Sequence, residues 1–367
     1  MIALSKVVIT EEIKKAVLEV LDSGRFVKGP RVKKFEEEFA KYCGAKYGTA
    51  VSSGTAAIYL ALRAIDVKKG DEVICPSFSF IATATPILMI GAKPVFVDVN
   101  KNGLMNVDEV EKKITDRTKA VICVHLYGQM CDMDRIMELK EKYGFYLIED
   151  AAQAHGAEFK GKKAGSFGDF ACFSFFPSKN LTVTGEGGMV LTNDEELDAK
   201  IKALRDHGRD YRQKDGKYIS TMLGFNFRMS EIQAAVGIEQ LKLLDNFIKK
   251  RRLIAKIYDE MLVDIAVEPI KEEDNRKHVY HLYVIKTKYR DKLKEFLNLS
   301  GIETGIHYPI PIHKQPIFSE FTCKLPITEK LCKEVLSLPI HPILKEEEVE
   351  YICRKIEEFM KSYGLKM

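Results

Sequence analysis

The chain has 367 residues, of which 46% are hydrophobic and 30% charged, and its formal net charge at pH 7 is only +4. A chain of this length usually exceeds a single core, so a large domain followed by a smaller one is expected. Lysines alternate with glutamates instead of forming a basic segment, which argues against nucleic acid as a partner.

Two helices are predicted before the first strand. Thr10, followed by two glutamates, is typical of a helix N-cap, and this helix is expected to continue to about Leu21. The second helix, Arg31 to Tyr42, has apolar residues at helical spacing and is expected to end at Gly44.

A strand from Tyr47 to Ser52 is predicted to continue through Ser53, Gly54 and Thr55 directly into a helix. A strand, a turn of small residues and a helix N-terminus together favour anions, because backbone N–H groups and the helix dipole point at the ligand. Ser-Gly pairs also serve as plain turns. The stretch is therefore either a phosphate site or an ordinary turn.

Strands and helices then alternate, which predicts a mostly parallel sheet flanked by helices and places the chain in the α/β class. The predicted segments after the helix Ala56 to Ala64 are Asp71 to Pro76, Phe78 to Thr83, Pro94 to Asp98, Val107 to Ile114, Ala120 to His125, Met133 to Tyr143 and Tyr146 to Glu149.

Two chemically active side chains follow predicted strands. Asp150 stands at the carboxyl end of the strand that begins at Tyr146, where open α/β sheets place their ligands. Lys179 follows the apolar strand Phe170 to Phe176, and its aromatic surroundings are expected to lower its pKa. A lysine nucleophile opposite a carboxylate suits pyridoxal phosphate, whose ring nitrogen is kept protonated by an Asp. Taken singly, a capping Asp and a solvated Lys are the simpler interpretations.

The C-terminal part predicts a second, smaller domain. The expected large domain covers residues 1–244 and the small domain residues 245–367, with the N-terminal segment able to pack against the small domain. The predicted elements here are a strand at Met189 to Thr192, helices at Glu195 to Leu204 and from Glu231 to Ile254 or beyond, a strand at Tyr280 to Ile285, and helices at Arg290 to Leu297 and Glu346 to Tyr363.

Several motifs together resemble one known family. The stretches IEDAAQAHGA, GSFGDFACFSFFPSKNLTVTGEGG, SSGTAAIYLAL and LGFNFRMSEIQAAVG resemble the DegT/DnrJ/StrS family of sugar aminotransferases, and the similarity runs in order from GRFVKGPRVKKFE to HYPIPIHKQP. The resemblance implies a fold-type-I pyridoxal 5'-phosphate enzyme. Its large domain would hold a mostly parallel seven-stranded sheet, its small domain would be α+β, and its active sites would be shared within a homodimer.

The resemblance also implies roles for individual residues. Lys179 is the residue expected to form a Schiff base with pyridoxal phosphate, and Asp150 is expected to pair with the ring nitrogen. Gln153 corresponds to the position that bonds the ring hydroxyl, and Phe80 and Ala152 to positions on opposite faces of the ring. For Phe80, an ordinary core position is the alternative.

Phosphate ligands and substrate neighbours follow in the same way. The resemblance assigns the phosphate to Gly54, Thr55 and Ser174 of one subunit and to Asn226 of the partner subunit. The proline-punctuated stretch IHYPIPIHKQPIF is expected beside the substrate. Its candidate substrate residues are His307, Tyr308 and His313, with rigid packing of the loop as the alternative for each.

The predicted function is transfer of an amino group from L-glutamate to a keto group of a nucleotide-linked deoxysugar in surface polysaccharide or glycan biosynthesis. A UDP-linked 4-keto-6-deoxyhexose is the preferred substrate. The alternatives are a 3-keto-sugar aminotransferase, a sugar dehydratase and a non-catalytic pyridoxal phosphate-binding regulator. Lys179 argues against the dehydratase, because dehydratases of this family carry His there, and the chain has no basic segment that suits a DNA-binding regulator.

The remaining signals concern metals and cellular location. The histidines show no metal-ligand spacing, so no catalytic metal is expected. The eight cysteines include no C-x-x-C pair and are expected to be reduced. The N-terminus has no signal-peptide pattern, and no apolar run has the length of a membrane span, so a cytoplasmic protein without a membrane partner is predicted.

Overall fold

A seven-stranded sheet lies at the centre of the N-terminal part of the molecule. The computed structural model describes residues 1–210, 212 and 218–362. In chain order, this part contains α1 (Glu11–Ser23), α2 (Pro30–Cys43), β1 (Tyr47–Val51), α3 (Gly54–Ala64), β2 (Glu72–Pro76), α4 (Thr85–Ile90), β3 (Lys93–Val97), α5 (Val107–Lys113), β4 (Thr118–Val124), α6 (Met133–Tyr143), β5 (Tyr146–Asp150), β6 (Glu158–Phe159), β7 (Lys162–Lys163), β8 (Phe170–Ser174), β9 (Gly188–Thr192), α7 (Glu195–Arg205) and α8 (Glu231–Met261).

The strand order is β1-β9-β8-β5-β4-β2-β3. Strand β9 is antiparallel to both of its neighbours, and the pairs from β8 to β3 are parallel. Buried apolar side chains cover both faces of the sheet, as expected for a parallel sheet flanked by helices. The predicted α/β class and mostly parallel sheet are therefore confirmed.

The capping residues predicted the ends of the first two helices to within two residues. The Thr10 side chain accepts a hydrogen bond from the backbone of Ile13, and α1 ends at Gly24 in the left-handed region. Helix α2 begins at a proline and ends at Gly44, which is also left-handed. Each helix extends one or two residues beyond its predicted end.

The C-terminal part forms a second sheet with order β10-β12-β13, covered by α9 and α11. A third small sheet, β11-β6-β7, joins residues from both parts of the chain. The elements after α8 are β10 (Glu268–Pro269), β11 (Arg276–Lys277), β12 (Tyr283–Lys286), α9 (Arg290–Leu299), α10 (Pro326–Glu334), β13 (Val335–Leu338) and α11 (Glu346–Ser362).

Helix α8 is continuous across the predicted domain boundary at residue 245. Ile238, Leu244 and Ile248 belong to the core of the large sheet, whereas Ile254 and Tyr258 belong to the core of the small sheet. Helix α8 therefore passes from the core of the large sheet to the core of the small sheet between residues 248 and 254. The division of the chain at residue 245 stays a prediction.

Two segments tie the small sheet to the large one. The N-terminal segment bridges from Ile2 to Ile302, and the Leu4 carbonyl accepts a hydrogen bond from Ile340. The proline-rich segment returns to the large sheet, where the backbone N–H of Ile312 donates to the Ser77 carbonyl at 3.0 Å. These two segments bring residues near both ends of the chain to one cleft.

One predicted strand begins later than expected. Strand β12 starts at Tyr283 instead of Tyr280. The N–H of Val279 donates to the Gly128 carbonyl near the large sheet, and Arg251 of α8 donates to the Tyr280 carbonyl. Backbone groups engaged in this way are not available to a sheet ladder.

Part of two predicted segments falls outside the described residues. This applies to Tyr363, the predicted end of the last helix, and to residues 211 and 213–217 of the charged loop before α8. Among the described residues, no helix combines the length and apolarity needed to cross a membrane, and no group of His, Cys, Asp and Glu side chains is arranged to hold a metal ion. All eight cysteines have free thiols.

A buried carboxylate joins the start of α8 to the start of α2. Glu231 accepts hydrogen bonds from the backbone N–H groups of Gly29 (2.8 Å), Arg31 (2.8 Å) and Val32 (3.1 Å). These groups would otherwise lack partners at a helix N-terminus. A side chain at Gly29 has no room, because an added Cβ would lie 2.4 Å from the Glu231 carboxylate.

We expect Glu231→Ala to lower the free energy of unfolding by about 3 kcal/mol, because it leaves several buried N–H groups without acceptors. Glu260→Ala, at the exposed end of the same helix, is the matched control and should change it by less than about 0.5 kcal/mol. Urea unfolding at a fixed cofactor concentration measures both. Equal unfolding midpoints for the two variants would contradict the capping role.

Candidate active site

A cavity of about 430 Å³ opens where the large sheet, the N-terminal segment and the proline-rich segment meet. Its wall includes Asp150 at the end of β5, Lys179 between β8 and β9, and the N-terminal turn of α3. A larger groove of about 1320 Å³ lies along the small sheet, but it is an open surface lined by lysines and glutamates. None of the predicted cofactor residues lines that groove, so the smaller cavity is the candidate site.

Lys179 lies half-buried on the connection from β8 to β9, and its backbone N–H donates to the Phe176 carbonyl at 2.9 Å. Burial lowers the pKa of Lys179 to about 8, and the nearby negative charge of Asp150 partly opposes this shift. At neutral pH, a larger fraction of this amine is therefore unprotonated than for an ordinary lysine. A nucleophilic lysine needs this property.

Asp150 is buried at the carboxyl end of β5. Its Oδ2 accepts a hydrogen bond from the Thr83 hydroxyl at 2.7 Å, and its Oδ1 accepts one from the backbone of Ala152 at 3.3 Å. The Thr83 hydroxyl also lies 2.7 Å from that of Ser79. Burial raises the pKa of Asp150, although these hydrogen bonds and the Lys179 charge oppose the shift. A cationic group arriving beside Asp150 would therefore be stabilised.

The neighbouring carboxylate, Glu149, points to the opposite side of the strand and serves the fold. His125 Nε2 lies 3.0 Å from Glu149 Oε2, and the backbone N–H groups of Gly165, Phe167 and Gly168 donate to the same carboxylate. Burial alone would raise the pKa of Glu149, but the His125 contact and these N–H groups lower it overall. Side chains alternate along a strand, so Glu149 anchors the strand end while Asp150 faces the cavity.

The first turn of α3 forms a narrow cradle beside Ser174. The Ser53 hydroxyl caps the helix by accepting from the backbone of Ala56 at 3.1 Å. An added Cβ at Gly54 would lie 2.9 Å from the Ser174 Cβ, and one at Gly188 would lie 2.4 Å from the Ser53 carbonyl. Only glycines allow the three chain segments to approach this closely. The cradle presents helix N–H groups and hydroxyls to the cavity, which suits a phosphate.

Gln153 connects the strand end to the proline-rich segment. Its Oε1 accepts from the backbone of Tyr127 at 2.7 Å, and its Nε2 donates to the Tyr308 hydroxyl at 3.0 Å. Phe80 is 54% exposed, and its ring lies 5.8 Å from that of Tyr308. Ala152 also lines the cavity. A largely exposed Phe at a cavity wall is more consistent with a ligand-contacting ring than with a core position.

The structure brings most of the predicted site residues together. The residues that line the cavity are Gly54, Thr55, Phe80, Asp150, Ala152, Gln153, Ser174, Lys179, His307 and Tyr308. Their individual roles stay predictions.

Two predicted residues do not line this cavity. His313 is buried beside the large sheet, where its Nδ1 lies 2.7 Å from the Ser77 hydroxyl and its Nε2 lies 3.4 Å from Glu329. It packs the proline-rich segment, as the structural alternative proposed. Asn226 is exposed on the loop beside β1, and a contact with a partner subunit stays a prediction.

Sequence reasoning missed several residues that line the cavity. Leu4 and Ser5 come from the N-terminal segment, Ser79 and Thr83 precede α4, and His281 lies just before β12. The hydroxyl-rich stretch SFSFIAT was a usable signal for Ser79 and Thr83, since hydroxyls near a strand end can bond a carboxylate. Nothing in the local sequence connects Leu4 or His281 with Lys179.

The residues present fit pyridoxal phosphate. The glycine-lined cradle at α3 suits its phosphate, buried Asp150 suits a protonated ring nitrogen, and the lowered pKa of Lys179 suits attachment of an aldehyde. The cavity lies at the carboxyl ends of the parallel strands, where such folds bind ligands.

Comparisons with known proteins agree with this geometry. Residues 7–357 match the model of the DegT/DnrJ/EryC1/StrS aminotransferase family. The chain is 44% identical to a "Pleiotropic regulatory protein" of Geobacillus stearothermophilus, over 96% of this chain and 97% of the relative. It is 43% identical to a dTDP-3-amino-3,6-dideoxy-alpha-D-galactopyranose transaminase of Aneurinibacillus thermoaerophilus, over 95% of each.

A solved structure shows the same fold. The DesV protein of S. venezuelae, determined in complex with a ketimine intermediate, is 39% identical and superposes with a TM-score of 0.91, covering 95% of this chain and 94% of its own.

In the cofactor-free protein, acetylation of Lys179 should increase with pH and reach half its maximal rate near pH 8, because only the neutral amine reacts. Asp150→Asn should move this midpoint to lower pH, since the Asp150 charge raises the pKa of Lys179. Asp134→Asn, at a half-exposed surface position, should leave it unchanged. Peptide mass spectrometry after brief labelling gives the rates. A midpoint near that of ordinary lysines would contradict the lowered pKa of Lys179.

Proposed function

Because this chain belongs to the DegT/DnrJ/EryC1/StrS aminotransferase family, we propose that it transfers an amino group from L-glutamate to a keto group of a nucleotide-linked deoxysugar. The chain is a pyridoxal phosphate-dependent aminotransferase. The observation that carries the proposal is that Lys179, Asp150 and the cradle at α3 line one cavity. We place this activity in the cytoplasm and in the synthesis of surface polysaccharide or another glycan.

The side chains around the cavity would have separate roles in binding the cofactor and moving protons. When bound, pyridoxal phosphate supplies an electron-accepting ring for moving the amino group. Asp150 would hold the proton on the ring nitrogen, because its buried charge gains most from a cationic partner. The cradle formed by Gly54, Thr55 and Ser174 would hold the phosphate. Lys179 would carry a proton inside the cavity, as its lowered pKa permits.

The keto sugar is proposed to lie against His307 and Tyr308, which the proline-rich segment carries to the cavity. A UDP-linked 4-keto-6-deoxyhexose is our first candidate, from the family resemblance. A dTDP-linked 3-keto sugar is the second, and the name of the Aneurinibacillus thermoaerophilus relative favours it. Both candidates use the same chemistry at the cofactor.

The name of the Geobacillus stearothermophilus relative supports a different candidate, a regulatory protein. A lysine with a lowered pKa beside a buried Asp is costly to fold and has a use in catalysis. These groups agree with the aminotransferase activity of the family, and a regulatory role would have to be additional to it.

We also propose a homodimer with shared active sites. The surface beside β1 carries exposed apolar side chains, including Phe26 (46% exposed), Val27 (55%) and Leu223 (71%). They belong to one surface, because Val27 forms a backbone bridge with Ser230 at the end of the loop that carries Leu223 and Asn226. An apolar patch of this kind is typical of a subunit interface.

The function is tested with a panel of UDP-, dTDP- and GDP-linked 3-keto and 4-keto sugars and L-glutamate as the donor. We expect one sugar class to yield an amino sugar together with 2-oxoglutarate, both measured by mass spectrometry. Lys179→Ala should lower turnover at least about a thousandfold. Lys330→Ala, at an exposed position on α10, should retain it. A protein that binds pyridoxal phosphate but turns over no sugar would support the regulatory alternative.

Subunit mixing tests the shared site. Lys179→Ala and Asn226→Ala chains should each be impaired alone, whereas their heterodimers should contain one site with both changes and one site with neither. About half of the heterodimer sites would then be intact, and activity should rise after subunit exchange.

Native mass spectrometry must first confirm that exchange has occurred. If activity then remains at the level of the separate variants, Asn226 does not act across the interface. Mixing Lys179→Ala with Lys330→Ala chains is the control, because each Lys330→Ala chain keeps an intact site and total activity should not change on exchange.

A further inference from the structure

Two histidines from the C-terminal part of the chain, His281 and His307, line the cavity and have no assigned structural role. His281 is only 6% exposed and lines the cavity, yet its buried Nδ1 has no hydrogen-bond partner among the described residues. His307 also lines the cavity, and its Nδ1 lies 2.9 Å from the Ser337 hydroxyl. This contact leaves Nε2 of His307 for a ligand. A buried polar atom without a partner calls for an explanation, and a ligand is one.

Both imidazoles are held in place by other parts of the chain. The buried Arg251 of α8 donates hydrogen bonds to the carbonyls of Tyr280 (3.1 Å), His281 (3.4 Å) and Ile340 (2.9 Å). Tyr280, just before His281, has a φ of 44°, which few non-glycine residues adopt. The Tyr127 hydroxyl donates to the carbonyl of His307. Side chains fixed in this way are suited to orienting a ligand.

Four groups that can carry positive charge face His281. They are Lys179 from the β8–β9 connection, Arg251 from α8, His155 after β5, and His307 from the proline-rich segment. Burial lowers the pKa of His155 to about 3 and that of His307 to about 4, so Lys179 and Arg251 are the cations among them. The carboxylates that line the cavity are Asp150, which bonds Thr83, and the exposed Glu186. A carboxylate arriving at His281 would gain from the charges of Lys179 and Arg251.

Burial keeps both imidazoles neutral in the absence of an anion. It lowers the pKa of His281 well below its ordinary value, and it lowers that of His307 to about 4, with the Lys179 charge adding to both shifts. Arg251 is charged at neutral pH, although burial lowers its pKa to about 9, and its guanidinium already donates to three carbonyls.

We propose that His281 and His307 bind the α-carboxylate of the amino donor and that one of the two imidazoles takes up a proton as the carboxylate binds. This inference rests on the proposed function, which requires an amino-acid donor and a sugar acceptor to occupy the same cavity in turn. A permanent cation at this position would lack a counter-ion whenever the sugar was bound. A neutral histidine can bond sugar hydroxyls, and a proton converts it into a carboxylate-binding group.

The proposed protonation determines how binding of the amino donor depends on pH. A bound carboxylate stabilises the protonated imidazole and raises its pKa, so donor binding consumes protons and weakens as pH rises. Binding of the uncharged sugar ring consumes none at these residues.

Glutarate is the probe, because it carries the two carboxylates of glutamate but has no amine to transfer. Isothermal titration of the pyridoxal phosphate-loaded enzyme at pH 7 in phosphate and in Tris gives the number of protons taken up. We expect uptake of about 0.5 to 1 proton per site for the wild type. His281→Gln should abolish most of the uptake and weaken glutarate binding by about tenfold or more.

His341→Gln is the matched control. His341 is also a buried histidine without partners for either ring nitrogen among the described residues, but it does not line the cavity. The His341→Gln variant should bind glutarate with the affinity and the proton uptake of the wild type. His307→Gln provides a second variant, which should also lower the uptake, and cofactor absorbance reports whether each variant is folded and loaded.

Several results would overturn the inference. They are failure of glutarate to bind the wild type, binding without proton uptake, or unchanged binding in a loaded His281→Gln enzyme. The wild-type measurement stands even if a variant does not fold. Failure of the proposed function looks different, because the wild type would then produce no 2-oxoglutarate from glutamate with any sugar of the panel.

Discussion

The candidate site depends on two adjacent carboxylates at the buried end of β5. Glu149 is neutralised within the protein by His125 and three backbone N–H groups. Asp150 receives weaker compensation, from the Thr83 hydroxyl and one backbone N–H. Because burial penalises a charge, the incompletely compensated Asp150 is where a cationic ligand gains most. The Lys179 amine lies close enough for the two charges to affect each other, so the strand end and the lysine together determine the charge where the cofactor is proposed to bind.

The cavity is completed by segments that cross from the small sheet to the large one. The N-terminal segment and the proline-rich segment hold the two parts of the chain against each other, and Arg251 of α8 fixes the residues before β12. Helix α8 belongs to both cores, which limits independent movement of the two parts. The large-sheet part contributes Asp150, Lys179 and the cradle at α3, which are the predicted cofactor-binding groups, while the C-terminal part contributes His281 and His307. This division suits an enzyme that keeps one cofactor and exchanges two substrates.

The proposed sites for the keto sugar and for the donor carboxylate share His307. An aminotransferase that uses an amino acid and a sugar must accept an anion and a neutral ring in the same space. Histidines can meet both requirements, because an imidazole can be neutral when the sugar is bound and protonated when the carboxylate is bound.

Much of this protein was determined by its sequence alone. The caps at Thr10 and Gly44, the alternation of strands and helices, and the strand-end positions of Asp150 and Lys179 are local features, so short-range chemistry predicted them. Family motifs added the cofactor and ten of the residues that line the cavity. Only the tertiary structure decided that His313 packs against Ser77 away from the cavity, and that Leu4 and His281 line it. These positions depend on contacts between segments far apart in the chain, and residue spacing carries no record of such contacts.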